Sequence, residues 1–382
     1  MLSNLSIWKR RRITPPPKTP PLLTATSPLK SRSDRPSSSP NRSSPPVERN
    51  PSQDQRPPGP SASTTSTKTR RAKFPLPLPS RFRHSDADSP TPSSAQLLDE
   101  ILGINLRNAL IAKYNPRWAI EQARDKVAAK VALNAGGVTT TGTIAVISSY
   151  GDLLSFDPVR DLPDSWAIKP ARGSQGDGIL LALRREGNNW FKGSGTKLTP
   201  GDVMNHLRRI IDGGFSGDTG SDDAALIEPL IRPDKRISAL TPEGLPDVRV
   251  ISLREHPLMA MMRIPTLASD GKANLHQRAI GAAVDIDTGI ITRAMVVGKE
   301  ITHHPDTNIQ LIGVKLPEWD RVLEISSKCS AAIGLGYLGV DIILDENDGP
   351  MVLEVNAHPG IEIQNINQKG LRAKMIEAGE KC

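Results

Sequence analysis

Apolar residues recur with a helical period in several stretches of the chain, which predicts helices over about 96–115, 126–135, 200–212 and 317–333. The first stretch is interrupted at Gly103. The second, KVAAKVALNA, follows Asp125 and ends before a pair of glycines. The third has a favourable start, with Thr199 as N-cap, Pro200 at the first helical position and Asp202 in the first turn.

Short apolar runs between these helices predict strands over 141–147, 166–169, 179–183, 224–230, 248–253, 257–264, 339–344 and 351–356. Strands and helices are mixed without a regular strand–helix–strand alternation. The predicted fold class is therefore α+β, with a substantial share of antiparallel sheet.

Residues 1–95 differ from the rest of the 382-residue chain, because they hold 19 of its 34 prolines. They carry 17 basic and 5 acidic residues, a net charge of +12, whereas the remainder carries 32 basic and 36 acidic residues. A Pro/Ser/Arg-rich segment with few large apolar residues is predicted to be disordered. It is either a solvated extension or an electrostatic tether to RNA, an acidic protein or a membrane surface. The basic pI describes this tail and does not indicate a nucleic-acid-binding domain.

Two cysteines leave no disulfide framework, and no stretch reaches the roughly 20 apolar residues of a membrane helix. The start MLSNLSIWKRRR lacks the apolar region of a secretory signal. These features are compatible with a cytoplasmic protein, which is the predicted localisation.

The last two predicted strands, GVDIIL and MVLEVN, are joined by a polar turn over 345–350. If Leu344 pairs with Met351, then Asp341 lies opposite Glu354. Asn356 falls on the same face as Glu354, since residues two apart share a face. Two opposed carboxylates repel unless a positive charge lies between them, and oxygen ligands of this kind suit Mg²⁺. The alternative is a solvent-facing edge that tolerates the acids.

The segment WAIKPARGSQGDGI places a lysine before a glycine-rich turn. Such turns let backbone N–H groups approach phosphate oxygens, and Lys169 would add a positive charge. The segment matches neither a Walker A loop nor GxGxxG, so an ordinary glycine-rich hairpin is an equal alternative. The residues predicted to contribute are Lys169, Gly173, Ser174, Gly176 and Gly178.

Alternation along PDVRVISL puts Asp247 and Arg249 on one face of a strand. Arg249, Arg263 and Lys272 could neutralise a phosphate or a developing oxyanion, and Asn274 could contact a phosphate or a metal. Structural salt bridges are the alternative, and the spacing alone does not choose between them.

Taken in order, the motifs DVRV, NLH, GVDI, EVN and HPG resemble those of the ATP-grasp superfamily, and within it the RimK-type α-L-glutamate ligases. The resemblance extends over roughly residues 96–380. The ending PGIEIQNINQKGL looks most like the α-L-glutamate-ligase-like branch. It implies an ATP-grasp fold, in which two α+β subdomains hold ATP between them.

The resemblance also implies a role for each matching position. Asp341, Glu354 and Asn356 match magnesium ligands, and Mn²⁺ could replace Mg²⁺. Arg263 falls one position from an arginine associated with the reacting carboxylate, and Arg249, chosen from its strand position, is predicted to be catalytic with it. The nucleotide-binding positions implied are Lys126, Lys169, Glu228, the backbone of Pro229, Leu230 and Ile231, Asp247 on the ribose side, Lys272 and Asn274.

The organisation implied is a tail over 1–95, a reduced N-terminal region over 96–164, a lid subdomain over 165–231 and a core subdomain over 232–382. The activity implied is ATP- and Mg²⁺-dependent ligation of glutamate, or a similar carboxylate, to an amine through an acyl phosphate. A non-catalytic ATP-binding module and a ligase for a different carboxylate, such as a sugar-linked one, are the alternatives. The short region ahead of the lid and the missing glycine pair after NLH leave the substrates undefined, and a partner could supply part of their binding surface.

Overall fold

A computed structural model describes residues 100–173, 176–215, 222–242 and 244–380. The predicted tail and Ser174 lie outside these residues. The helices are α1 Ile104–Tyr114, α2 Arg117–Arg124, α3 Lys126–Ala135, α4 Tyr150–Ser155, α5 Pro158–Asp161, α6 Pro200–Ile211, α7 Lys235–Ser238, α8 Trp319–Ile333, α9 Ile363–Asn367 and α10 Leu371–Glu377.

The strands are β1 Ala145–Ile147, β2 Trp166–Pro170, β3 Leu180–Ala182, β4 Arg184–Glu186, β5 Asn189–Phe191, β6 Lys197–Leu198, β7 Ala225–Pro229, β8 Asp247–Leu253, β9 His256–Ile264, β10 Ile280–Val284, β11 Ile291–Val296, β12 Lys299–Ile301, β13 Tyr337–Asp345 and β14 Gly349–Asn356. They form a four-stranded sheet in the order β1-β7-β2-β3, a seven-stranded sheet in the order β12-β11-β10-β9-β8-β13-β14, and a small sheet of β4 to β6. Neighbouring strands in these sheets are antiparallel, which confirms the predicted fold class.

The predicted helix signals act as expected. The Asp125 side chain accepts hydrogen bonds from the backbone N–H groups of Val127 and Ala128, both at 3.0 Å, and so caps α3. Thr199 and Asp202 form a reciprocal capping box at the start of α6. Gly103 marks the beginning of α1, where the predicted interruption lies.

The four-stranded sheet buries one face against α6. Trp166, Ile168 and Ile227 on the sheet join Leu207 and Ile210 on the helix in one apolar cluster. The opposite face carries Ala167, Lys169 and Glu228, since strand residues alternate between faces. This sheet therefore presents charged side chains on the side away from α6.

The seven-stranded sheet is covered on both faces. Val248 and Val250 belong to a cluster with α8, whereas Ile251 and Leu253 lie in a second cluster with α1, α9 and α10. Asp247 and Arg249 share the face of Ile251 and Leu253, because an even number of residues separates each of them from these two. That face is thus apolar at one end and charged at the other.

The hairpin of β13 and β14 pairs Asp341 with Glu354, as predicted. The predicted pairing of Leu344 with Met351 is wrong, because Leu344 pairs with Pro350. A bulge after Asp341 shifts the register by one residue, which leaves Leu353 without an opposite residue. The prediction assumed one register along the whole hairpin and therefore could not include the bulge.

Two chain segments connect the sheets. In the first segment, over 139–144, Thr139 O accepts from the backbone N–H of Val352 on β14 at 2.9 Å, and the backbone N–H of Ile144 donates to Ile227 O on β7 at 2.8 Å. In the second, after β7, the backbone N–H of Asp234 donates to Leu344 O at 2.7 Å. The segments approach closely, since a Cβ on Gly142 would lie 3.1 Å from Pro229 Cγ. The described residues belong to one compact unit, and the predicted subdomain boundaries stay predictions.

Asn115, between α1 and α2, ties these helices to both strands of the hairpin. Its side-chain amide donates to Tyr337 O at 2.7 Å and to Ala357 O at 3.1 Å. Its oxygen accepts from the backbone N–H of Tyr337 at 2.9 Å. The residue is buried, so these backbone groups depend on it for their hydrogen bonds.

We expect Asn115→Ala to lower the free energy of unfolding by about 2–4 kcal/mol, because it leaves buried backbone groups without partners. Asn108→Ala is the matched control, since Asn108 is exposed and bonds to the neighbouring Arg107 side chain. Urea unfolding followed by circular dichroism measures both. Equal midpoints for the two variants would contradict the positioning role of Asn115.

Candidate nucleotide and metal site

Antiparallel pairing brings the predicted acids and arginines of the core together. Asp341 on β13 lies between Arg249 on β8 and Glu354 on β14. Arg249 donates to both Asp341 oxygens, from Nε at 2.7 Å and from Nη2 at 2.6 Å. The Asn356 amide donates to Asp341 Oδ2 at 3.2 Å. The structure therefore assembles the three predicted metal-site residues around one buried carboxylate.

Arg263 extends this cluster to the start of β8. Its guanidinium donates to both oxygens of Asp247 at 2.6 Å, and its Nη2 lies 2.9 Å from Asp341 Oδ2. The carboxylate of Asp247 is thus engaged by an arginine in this structure. Its implied contact with a ribose stays a prediction.

Burial and ion pairing set the pKa values of the two aspartates. Burial would raise the pKa of Asp341, but Arg249 and Arg263 hold it at about 2. Burial raises the pKa of Asp247 to about 6, against the attraction of Arg263. The two arginines thus favour the ionised form of Asp341, whereas burial works against ionisation of Asp247.

The predicted ligands fit a hard divalent ion. The described structure gives Glu354 no hydrogen bond or ion pair, and Asn356 uses its amide nitrogen, so its oxygen is available. Two carboxylates and an amide oxygen are a ligand set that suits Mg²⁺ or Mn²⁺. Among the described residues no group of three His, Cys, Asp or Glu side chains could hold a metal, and the predicted set has only two such side chains.

The second cluster lies on the four-stranded sheet, where Glu228 on β7 is almost fully buried. Lys169 Nζ lies 2.5 Å from Glu228 Oε2. Lys130, on α3, pairs with the other oxygen, Oε1, which also accepts from the hydroxyl of Thr141. Two lysines therefore share one carboxylate. The implied position of Glu228 beside the adenine stays a prediction.

Lys130 was not among the predicted site residues. Its Nζ also donates to Gly142 O at 2.9 Å and to Thr143 Oγ1 at 3.2 Å. Burial lowers the pKa of Lys130, and Glu228 acts to raise it. The available signal was its position one helical turn after Lys126 in an otherwise apolar helix, a place where a lysine needs a partner.

The other predicted lysine, Lys126, contacts the glycine-rich segment. Its Nζ donates to Gly173 O at 2.5 Å, and its backbone N–H donates to Ala171 O at 2.9 Å. Gly178 adopts a positive φ of 73°, and a Cβ there would lie 2.6 Å from Phe215 and Pro170 side-chain atoms. Gly176 also has a positive φ, 82°. The segment thus needs glycine at these two positions.

The predicted hinge begins at Pro229, the last residue of β7, and continues through Leu230 and Ile231. Directly after it, the backbone N–H of Arg232 donates to Asp345 Oδ2 at 3.1 Å. Pro229 is exposed, and the next two residues are half-buried. The hinge backbone therefore passes between the lysine cluster and the end of β13.

Lys272 and Asn274 lie on the loop between β9 and β10. This loop surrounds a cavity of about 320 Å³ that Lys272, His276 and Arg278 help to line. The Asn274 side chain accepts from the backbone N–H of His276 at 3.1 Å. No hydrogen bond or ion pair in the described structure joins Lys272 or Asn274 to the Asp341 cluster, so their nucleotide-side roles stay predictions.

The two clusters carry opposite excess charge. Lys130 and Lys169 against Glu228 leave a net +1. Around Asp341, two arginines balance two aspartates, and Glu354 leaves a net −1. One side of the candidate site can thus accept an anion and the other a cation.

Residues 105–379 match the family described as sugar-transfer associated ATP-grasp, which is more than two thirds of the chain. The chain belongs to this ATP-grasp family. The recognition made from DVRV, NLH, GVDI and EVN, and the ATP-grasp fold that it implied, are confirmed.

Curated relatives of this ATP-grasp chain match over short segments. Probable alpha-L-glutamate ligase of Coxiella burnetii is 46% identical over 59 residues, which are 15% of this chain and 19% of the relative. Probable alpha-L-glutamate ligase of Legionella pneumophila is 39% identical over 71 residues, 18% of this chain and 22% of the relative. The matched part of the chain therefore spans about a fifth of the length of these relatives.

Solved structures that match part of this chain include D-alanine–D-alanine ligase from Bacillus anthracis complexed with ATP. It has 17% identity and a TM-score of 0.38, over 69% of this chain and 62% of that one. D-alanyl-alanine synthetase A from Vibrio cholerae has 12% identity and a TM-score of 0.40, over 69% and 62%. None of the helices in the described residues is long and apolar enough to cross a membrane.

We expect Glu228→Gln to destabilise the chain by about 3 kcal/mol at pH 7, because two largely buried lysines lose their counter-charge. The pKa of Lys130 then falls further below its unfolded value. The folded state binds fewer protons than the unfolded state, so stability rises with pH. The loss should therefore be smaller at pH 9 than at pH 7.

Urea unfolding at both pH values measures this effect. The control is Glu324→Gln, whose partner Lys328 is an exposed lysine on the same helix. The control should change stability by no more than about 0.5 kcal/mol at either pH. A Glu228→Gln loss that does not shrink at pH 9 would show that Lys130 is not left as an uncompensated buried charge.

Proposed function

We propose that this chain is an ATP- and Mg²⁺-dependent carboxylate–amine ligase that forms an amide bond through an acyl phosphate. The donor proposed is glutamate or a similar amino acid, and the acceptor is an amine. Membership of an ATP-grasp family supports the reaction class. The names of the short-segment relatives support glutamate as the donor.

One observation carries the proposal: the opposite excess charge of the two clusters. The nucleotide is an anion that is used together with a divalent cation. A lysine cluster with net +1 suits the phosphates, and a carboxylate cluster with net −1 suits the cation. A site that bound only the phosphates, or only the cation, would not need both charged clusters.

The chain's own residues act by placing groups and by balancing charge. Lys169 and the backbone N–H groups of the glycine-rich segment would hold phosphate oxygens. Asp341, Glu354 and Asn356 would hold Mg²⁺, which when bound neutralises charge on the β- and γ-phosphates. Arg249, which donates to both Asp341 oxygens in this structure, would keep the carboxylate oriented toward the neighbouring Glu354 and Asn356.

The reaction itself needs no protein nucleophile. The substrate carboxylate attacks the γ-phosphorus, ADP leaves, and an acyl phosphate forms. The amine then attacks the acyl carbon, phosphate leaves, and the amine loses a proton. Arg249 and Arg263 would stabilise the charge that develops on the acyl phosphate and at the acyl carbon.

A ligase for a sugar-linked carboxylate or amine is the second candidate. The description of the matched family as sugar-transfer associated favours it. The chemistry of the acyl phosphate is the same in both cases, so only the substrates distinguish the two candidates. A non-catalytic ATP-binding module is the remaining alternative, and it predicts nucleotide binding without turnover.

We expect Glu354→Gln to abolish the stabilisation by Mg·ATP and to leave the ligand-free melting temperature unchanged or slightly higher. Glu354 has no counter-ion in the described structure, so its loss removes a repulsion and no bond. Thermal melts with and without Mg·ATP measure both quantities. Glu255→Gln, on the exposed turn between β8 and β9, is the control. If Mg·ATP raised the melting temperature of Glu354→Gln as much as that of the parent, the assignment of Glu354 as a metal ligand would be contradicted.

Turnover is tested by ADP release in the presence of hydroxylamine, which traps an acyl phosphate as a hydroxamate without the natural acceptor. We expect Mg²⁺-dependent ADP and hydroxamate with glutamate, and less with neutral amino acids. A panel of sugar acids tests the second candidate. Nucleotide binding without ADP release from any donor would support the non-catalytic module instead.

A further inference from the structure

The two lysines that share Glu228 are held very differently. An ammonium group has three N–H donors. Those of Lys130 all have acceptors, namely Glu228, Gly142 O and Thr143 Oγ1. Lys169 has one partner in the described structure, the Oε2 atom of Glu228. Lys130 is therefore fixed, whereas Lys169 has donors to spare.

The elements that carry the lysines differ as well. Lys130 stands on α3, and two of its acceptors belong to the connecting segment over 139–144. Lys169 is the next-to-last residue of β2, directly before the glycine-rich turn. Lys130 thus bonds to a connection between the sheets, and Lys169 lies beside the proposed phosphate-binding turn.

We propose that Lys130 is a positioning residue that keeps Glu228 neutralised, so that Lys169 can leave the carboxylate and bind an ATP phosphate. The inference rests on the proposed function. It assigns the fixed charge to Lys130 and the mobile charge to Lys169.

The cost of an unpaired buried charge is the physical reason. If Lys169 were the only partner of Glu228, moving it to a phosphate would leave a carboxylate that is 2% exposed without a counter-charge. With Lys130 in place, the carboxylate keeps an ion pair and the Thr141 hydroxyl bond. Lys130 therefore lowers the free-energy cost of moving Lys169 from Glu228 to a phosphate.

The test is calorimetric titration of Mg·ATP and of AMP into the full chain and its variants. AMP lacks the β- and γ-phosphates and serves as the internal reference. We expect Lys169→Met to weaken ATP binding by roughly 10- to 100-fold and to leave AMP binding unchanged, as for loss of a charged hydrogen bond. Lys130→Met should weaken ATP binding by roughly tenfold, although Lys169 is still present.

The decisive variant is the double substitution Lys130→Met with Glu228→Gln. Removing the carboxylate leaves nothing to retain Lys169, so the ratio of ATP to AMP affinity should recover to within about threefold of the parent ratio, since a lost adenine contact at position 228 would affect both nucleotides equally. A purely structural role of Lys130 predicts the opposite, because the second substitution would then add further damage. Lys328→Met, which breaks an exposed pair on α8, should leave both affinities unchanged.

Lys130→Gln guards against a folding defect, since it removes the charge and keeps an amide donor for Gly142 O. It should weaken ATP binding as Lys130→Met does. Unchanged ATP affinity in both Lys130 variants, while Lys169→Met weakens it, would overturn the inference and spare the proposed function. Lack of ATP binding by the parent, or equal loss of ATP and AMP affinity in Lys169→Met, would instead overturn the proposed role of Lys169.

Discussion

The register of three adjacent strands is the constraint on which the candidate site depends. Direct antiparallel pairing places Arg249, Asp341 and Glu354 side by side on one face of the large sheet. A slip of one residue would turn any of them to the opposite face, among the apolar contacts of α8. The charged site and the apolar core are therefore specified by the same pairing.

Charge balance gives that arrangement its chemical character. In the absence of ligand, Asp341 and Asp247 are compensated by two arginines, while Glu354 has no partner in the described structure. On the four-stranded sheet, the Glu228 carboxylate is paired with two lysines, Lys130 and Lys169. Each cluster is thus close to neutral, which a buried group requires. Each also retains one unit of charge that a ligand of opposite sign can satisfy.

Much of this could be predicted from the sequence, and the exceptions have physical reasons. Alternation correctly placed Asp341 opposite Glu354 and Arg249 on the face of Asp247, because strand periodicity is local. The pairing of β8 with β13, which brings Arg249 to Asp341, was not predicted. The bulge at Leu353 could not be predicted, since pairing register depends on both strands and on their neighbours. Helix α2 and strands β10 to β12 were missed as well, since these elements are only three to eight residues long and periodicity is ambiguous over short runs. Lys130 was missed because its partner, Glu228, lies 98 residues further along the chain.

The bulge after Asp341 divides the last hairpin into two segments of independent register. Between the turn and the bulge, pairing runs from Asp345–Gly349 to Ile342–Val352; beyond it, pairing begins at Asp341–Glu354. A one-residue change at the turn can therefore be absorbed by gaining or losing the bulge, while Asp341 still faces Glu354. The hairpin can tolerate insertion or deletion at its tip during evolution while the chemistry at its base is preserved.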